Sequence, residues 1–462
     1  MPRWQLMSQS LPRYKIVMIK MRKILLPLVL LITFSVPAQR MLSLEEAIAT
    51  ALQNNYDIML SKNDSSVAAL DYSFRQGAFL PRLTGNFGIT WNDNNQKQEF
   101  NTGVVKKGSV KTNNFNTSVN LNWTLFDGLK MFVLRDKVAE FIKLGELEIK
   151  NQVINTIADV INTYFNIVRQ KQQLKAIEEQ MGLSQERVKL AQYKFDIGVG
   201  AKPEVLQSKV DLNAQKAAQL NQQTLIAQLK EQLNQLMNPT SGIGAAKQSS
   251  VYDVADSIPI NTLLNLGDIQ TGVESNNFIL KIAKKNIDIA GLTLKERKAD
   301  RFPVVSFNSA YNFNRSDNTL ALNPALPLFT RNLGFNYGIT ASIPILNNLN
   351  IKRQIKQAQL NIRYQQLVYD NQKSLINLSV LNAFKDYEQQ KKALALEEEN
   401  ILLAKENVDI ILQVYKLNST TYIQLREAQK SLEDAYNRLI AARYNTKLAE
   451  TELLRLKGDL VK

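Results

Sequence analysis

The residue types that carry most enzyme chemistry are missing from this chain, which has no cysteine and no histidine. Their absence removes disulfides, thiolate nucleophiles, Ser-His-Asp relays and Cys/His zinc sites. Chemistry falls to Asp, Glu, Lys, Arg, Tyr, Ser and Thr. The carboxylates lie mostly on long helical stretches at solvent-facing spacing, with no cleft signal around them. No G-x-x-x-x-G-K-[ST] phosphate loop occurs either. The residues that stand out are conformational: Gly198, Gly200 and Pro203, and again Asn418, Thr421 and Gln424. Each group sits where a long helical pattern reverses, a place that needs a left-handed residue to stop one helix and a cap to start the next. Thr421 with Gln424 three residues on is a capping-box spacing. The reading is of a chain that is not an enzyme and takes no cofactor and no metal.

Stepping from those turns to the whole, 57 Lys+Arg against 42 Asp+Glu in 462 residues give +15. Part of this charge belongs to a targeting segment. Met21-Arg22-Lys23 is a basic start, Ile24 to Phe34 an apolar stretch too short to span a bilayer as a helix, and Val36-Pro37-Ala38 a small-residue end. Residues 1–38 read as a signal peptide, with 1–20 an over-long start. Arg3, Arg13, Lys15, Lys20, Arg22 and Lys23 lie there without an acid, so +15 less six leaves +9 for the remainder. No basic cluster interleaved with aromatics survives to argue for nucleic acid.

The chain repeats. A shift of 220 residues aligns Gln170/Gln390, Lys171/Lys391, Leu174/Leu394, Glu178/Glu398, Glu179/Glu399 and Glu186/Glu406 as identities. Phe87/Phe307, Tyr164/Phe384, Phe195/Tyr415 and Val205/Leu425 follow as similar pairs. Residues 39–237 form a first unit, with helices over 44–77, strands over 82–92 and 114–126, a long helix over 129–197 and a helix over 203–237. Residues 278–458 form the second, with a helix over 278–300, strands over 303–314 and 333–345, a long helix over 348–417 and a helix over 421–457. A breaker-rich equatorial or linker region, 238–277, lies between them.

The four strand segments alternate strictly, as in Leu83, Phe87, Ile89 and Trp91 or Leu333, Phe335, Tyr337 and Ile339, with Asn, Thr, Ser or Gly between. Each is long enough to cross a bilayer at a tilt, with one face for lipid and one for water. A sandwich would need a second sheet to cover the apolar face, and the chain offers none. A closed barrel needs about eight strands or more, so four per chain demand further copies, and three chains supply twelve. The polar stretches Asn92 to Asn114 and Asn314 to Asn332 are expected as outward loops. The long helices carry apolar residues every three and four positions without proline, and 67 residues at about 1.5 Å each give about 100 Å. No compact domain is that long.

Over essentially the whole mature chain the sequence resembles the TolC family of outer membrane efflux ducts. The motifs are Leu42-Ser43-Leu44-Glu45-Glu46-Ala47-Ile48 with Ala51-Leu52-Gln53-Asn54-Asn55, Phe195-x-x-Gly198 leading to Val205-Leu206, and Tyr415-x-x-Asn418 leading to Leu425-x-x-Ala428-Gln429. The resemblance implies an α+β membrane protein of a Gram-negative outer membrane, a homotrimer whose twelve-stranded β-barrel in outer membrane lipid continues as a periplasmic α-barrel of antiparallel coiled-coil helices. It also implies a periplasmic adaptor (membrane fusion protein) and an inner-membrane RND or ABC transporter that supplies the energy. The function implied is a passive exit duct for efflux or type I secretion.

Family tips contact the adaptor through a short Val-Gly-Leu/Thr stretch, which Ile197-Gly198-Val199 matches; in Leu417-Asn418-Ser419 the glycine is replaced. The family also narrows its periplasmic end with two acidic rings, a tyrosine and an arginine. Tyr415 matches the tyrosine and Glu427 the second acid, while Gln424 replaces the first acid and Thr420 the arginine. Three Glu427 carboxylates are expected to ring the pore and favour cations. A secreted coiled-coil scaffold or adhesin with sheet heads is the competing reading, needing no adaptor and no lumen.

Overall fold

The structure, a computed structural model, describes residues 40–238, 252–319, 322 and 327–460; the signal segment lies outside them. In chain order the elements are β1 (Arg40–Leu42), α1 (Leu44–Asn54), α2 (Tyr56–Ser73), a 3₁₀ turn (Arg75–Phe79), β2 (Arg82–Glu99), β3 (Val105–Phe126), α3 (Lys130–Asp196) and α4 (Lys202–Met237). Then follow β4 (Tyr252–Val254), α5 (Leu266–Asn276), α6 (Phe278–Ala299), β5 (Val304–Asn318), β6 (Phe329–Ser342), α7 (Asn350–Lys416) and α8 (Tyr422–Lys457). No described helix is long and apolar enough to cross a membrane.

The sheet runs β2-β3-β5-β6, antiparallel throughout, so the two hairpins are joined by the β3–β5 ladder and β2 and β6 remain as open edges. The alternation seen in sequence sets its faces. Phe87, Trp91, Leu333, Phe335, Tyr337 and Ile339 are all exposed on one of them. Two expectations need correction. Residues 92–114 are not a loop: β2 and β3 stay paired out to Glu99↔Val105. Backbone ladder bonds need no apolar side chain, so the strands outrun the alternation that marked them. In the second unit pairing likewise extends to Asp317↔Phe329, and β6 ends at Ser342 instead of 345.

The helices over 44–77 are two. Asn55 breaks them, with ψ 130°, into α1 and α2, and its side chain caps α2 by accepting from Asp57 N at 3.0 Å and Ile58 N at 3.3 Å. The same side chain donates through Nδ2 to Leu236 O at 2.9 Å, the last turn of α4. Asn277 repeats the arrangement, accepting from Leu280 N at 3.1 Å and donating to Leu456 O at 2.9 Å. One buried amide thus satisfies orphan groups of two helix ends, and the short helices α2 and α6 continue the lines of α4 and α8. The 238–277 stretch is not all linker: α5 lies in it, and β4 pairs in parallel with β1. Tyr164 fastens this girdle to α3, donating to Leu42 O at 2.9 Å and accepting from Ala255 N at 3.2 Å.

α3 and α7 are each 67 residues long and begin 220 positions apart; α4 and α8 are each 36 and keep the same offset. α3 packs against α2, α4, α6 and α8, whereas α7 packs against α6 and α8. The core is a series of small clusters along this helical layer. The largest gathers Val160, Ile167, Val168 and Leu233 with Ala47 and Val254.

Candidate functional site at the helical tips

Two helical reversals close the end of the molecule remote from the sheet. After α3, Gly198 takes φ 79°, Gly198 N donates to Phe195 O and Val199 N to Lys194 O, both at 3.0 Å. After α7, Asn418 takes φ 60°, Asn418 N donates to Tyr415 O and Ser419 N to Val414 O, both at 3.1 Å. Both are Schellman ends, one made with glycine and the other with asparagine. The restart differs. α8 has its capping box, with Gln424 N donating to Thr421 Oγ1 at 3.3 Å and Thr421 N to Gln424 Oε1 at 3.1 Å; α4 starts with Pro203 in its first turn and no side-chain cap.

The six tip residues expected to meet a partner, Ile197, Gly198, Val199, Leu417, Asn418 and Ser419, are all exposed. Apolar Ile197, Val199 and Leu417 therefore stand in water in the single chain. The four residues expected at a gate divide. Gln424 is taken up by the capping box, and the Thr420 hydroxyl also bonds Gln424 Oε1. Glu427 is exposed on a groove of about 720 Å³ among α3, α4 and α8, which Arg187, Asp211, Arg426 and Lys430 also line. Tyr415 is buried, its ring beneath Lys194 Nζ at 3.6 Å, and Lys194 donates to Tyr415 O at 2.7 Å. Burial, and then the Glu204 charge, raises the Tyr415 phenol; burial lowers the Lys194 ammonium against the Glu204 attraction.

The strongest polar assembly lies one to three turns above the tips, on residues the sequence reading did not single out. Asp211 of α4 accepts from Arg187 Nη2 of α3 at 2.8 Å, Gln207 Nε2 at 2.8 Å and the Tyr422 hydroxyl of α8 at 3.2 Å. Arg426 Nε stands 3.4 Å from the same carboxylate, and Arg187 Nη1 donates to Gln429 Oε1 at 2.7 Å. Burial pushes the Tyr422 phenol up to about 12, the Arg187 charge opposing and the Asp211 charge assisting. One carboxylate thus joins both helical hairpins. The sequence held a signal for it: Gln180, Ser184, Arg187 and Lys194 occupy buried positions of α3 at helical spacing, where apolar residues sit higher up.

The sequence profile of the outer membrane efflux protein family matches residues 47–239 and 273–459, which take in both hairpins and the whole sheet. This chain belongs to that family. The efflux protein is 20% identical over 428 residues to the outer membrane efflux protein BepC of Brucella suis, covering 90% of this chain and 86% of that protein. It is 19% identical to TolC of Escherichia coli, over 90% of this chain and 82% of that one. Its fold matches the Campylobacter jejuni CmeC outer membrane channel with a TM-score of 0.72 at 16% identity, over 91% of this chain and 86% of that one. The Vibrio cholerae outer membrane protein VceC matches with 0.71 at 13%, over 90% and 96%. The efflux protein resides in the outer membrane and extends into the periplasm.

Proposed function

We propose that three copies of this efflux protein close a twelve-stranded barrel in the outer membrane and a periplasmic helical tunnel, forming the passive exit duct of a tripartite efflux or type I secretion system. The observation that carries the reading is the sheet: an apolar outer face and two open edges, β2 and β6, on a chain whose other end is two hairpins about 100 Å long. An open edge is not tolerated in lipid, and β2 of one copy against β6 of the next removes it. The exposed apolar side chains of α7, among them Leu360, Tyr364 and Leu367, are served by the same neighbour. Membership of an efflux family favours the duct over a secreted scaffold or adhesin.

In this reading residues 39–237 and 278–458 are the two units of each protomer, 1–38 is removed on export, and 238–277 contributes to the equatorial girdle. Ile197, Gly198 and Val199 meet a periplasmic adaptor that couples the duct to an inner-membrane RND or ABC transporter; Leu417, Asn418 and Ser419 form the second, less matched tip. Three Glu427 carboxylates ring the narrow end, with Gln424, Thr420 and Tyr415 around them. Supporting this, Glu427 is exposed on the groove wall while Tyr415 braces the hairpins from inside. Recovery of an SDS-resistant trimer from outer-membrane fractions, conducting in planar bilayers, is the expected result; a soluble rod would sink the proposal. Glu427→Ala should reduce cation selectivity, and unchanged selectivity would remove the ring from it.

A further inference from the structure

Near the turn end of the sheet's lipid-type face two arginines meet. Phe313 and Leu333 are a cross-strand pair, and two residues further toward the strand turns, on the same face, Arg315 stands directly opposite Arg331. Like charges directly opposite destabilise a sheet. Both side chains are exposed, and each is braced on a ring of the other strand: the Arg315 guanidinium lies 5.4 Å from the Phe329 ring centre, and that of Arg331 5.4 Å from Phe313. Arg315 also holds Asp317, Nε to Oδ2 at 2.8 Å, so the two arginines and one acid leave a positive charge. Among the described residues Arg331 has no carboxylate partner.

The neighbouring hairpin repeats the pattern on the same face. Lys97 is paired opposite Lys107 in the part of β2–β3 that outruns the apolar alternation, and both are exposed. Lys111, on that face too, reaches Asp93 at 3.4 Å. The arginine pair is level with Phe115 and Ile89 and one pair short of Trp91 and Phe329, near the end of the sheet away from the helices, whereas the lysine pair stands about 27 Å further out along the strands. Aromatic side chains such as Trp91 and Phe329 mark the headgroup level of a membrane, where lipid phosphates lie, and the planar guanidinium fork suits them.

We propose that Arg315 and Arg331 clamp the phosphate of an outer-leaflet lipid, the phosphorylated glycolipid of a Gram-negative outer membrane. The inference rests on the proposed placement of the sheet in the membrane but not on an open lumen, so loss of conduction would leave it intact. The test is native mass spectrometry of the full-length protein in detergent with phosphorylated lipid A, with its dephosphorylated form, and with inorganic phosphate as competitor. Wild type should retain the phosphorylated lipid selectively; R315A/R331A should weaken retention about tenfold or more, and R315K/R331K should fall between. Equal retention of both lipids by wild type, equal retention by wild type and R315A/R331A, or displacement by equimolar inorganic phosphate would overturn the proposal. Should the alanine variant fail to fold, the lipid contrast on wild type and the lysine variant still decide it.

Discussion

The two long helices have the same length and the same place in their units, yet α3 buries nineteen residues and α7 ten. α3 is clasped by helices on several sides, and polar Gln180, Ser184, Arg187 and Lys194 enter its buried face. α7 leaves Leu360, Tyr364, Leu367, Leu375 and Leu378 in water. Position 187 is a buried arginine and its counterpart, Asn407, is exposed. Equal elements have thus divided their work: α3 unites the protomer, and α7 offers a surface to something outside it.

The severest way to break that comparison is on the open side. Leu375→Glu with Leu378→Glu should abolish the SDS-resistant trimer while circular dichroism of the monomer keeps its helical signal. If the trimer survived, α7 would not be the contact surface. On the closed side, Asp211→Ala leaves the Arg187 charge buried and uncompensated, a loss of about 3–5 kcal/mol, whereas Asn407→Ala should stay within about 0.5 kcal/mol. Chemical denaturation of both variants checks this, and similar midpoints would refute the asymmetry.

Smaller effects sharpen it. Asn55→Ala and Asn277→Ala each remove a cap and a bond to the end of a distant helix, α4 or α8, and each should cost about 1–2 kcal/mol. Faster amide exchange at Asp57 and Ile58, or at Leu280, would locate the loss. The smallest concerns Lys285 of α6, 2.7 Å from Glu140 of α3. Hydrogen bonds from Lys143 and then Lys285 hold the Glu140 carboxyl below its ordinary value, so its contribution is present above the unfolded value of 4.5 and fades as pH falls through the lower folded value. The bond to Glu140 raises Lys285 in turn, a contribution complete below 10.5 and lost as pH rises through the raised folded value. Stability titrations of Glu140→Gln should lose both flanks by roughly 1 kcal/mol or less.

Much of this was legible in residues that act locally. Alternation marked the apolar part of every strand, and Gly198, Asn418 and the Thr421/Gln424 box marked the turns within a residue or two. Strand ends past Trp91 were not legible, because pairing there depends on a backbone ladder that polar side chains do not announce. That Asn55 serves two helix ends was not legible, because its partner Leu236 lies 181 residues away.

The sequence by itself determined the elements and their duplication, since a period of two or of three and four residues, a left-handed glycine and a cap all act over a few residues. Tertiary structure decided what the elements do. Asp211 became a hub, Tyr415 turned inward onto Lys194, and Arg315 met Arg331 because α8 lies beside α3 and β5 beside β6 in register. Each of those contacts costs desolvation or repulsion that only its neighbours offset, and neighbours so distant in sequence are chosen by the packing of whole hairpins.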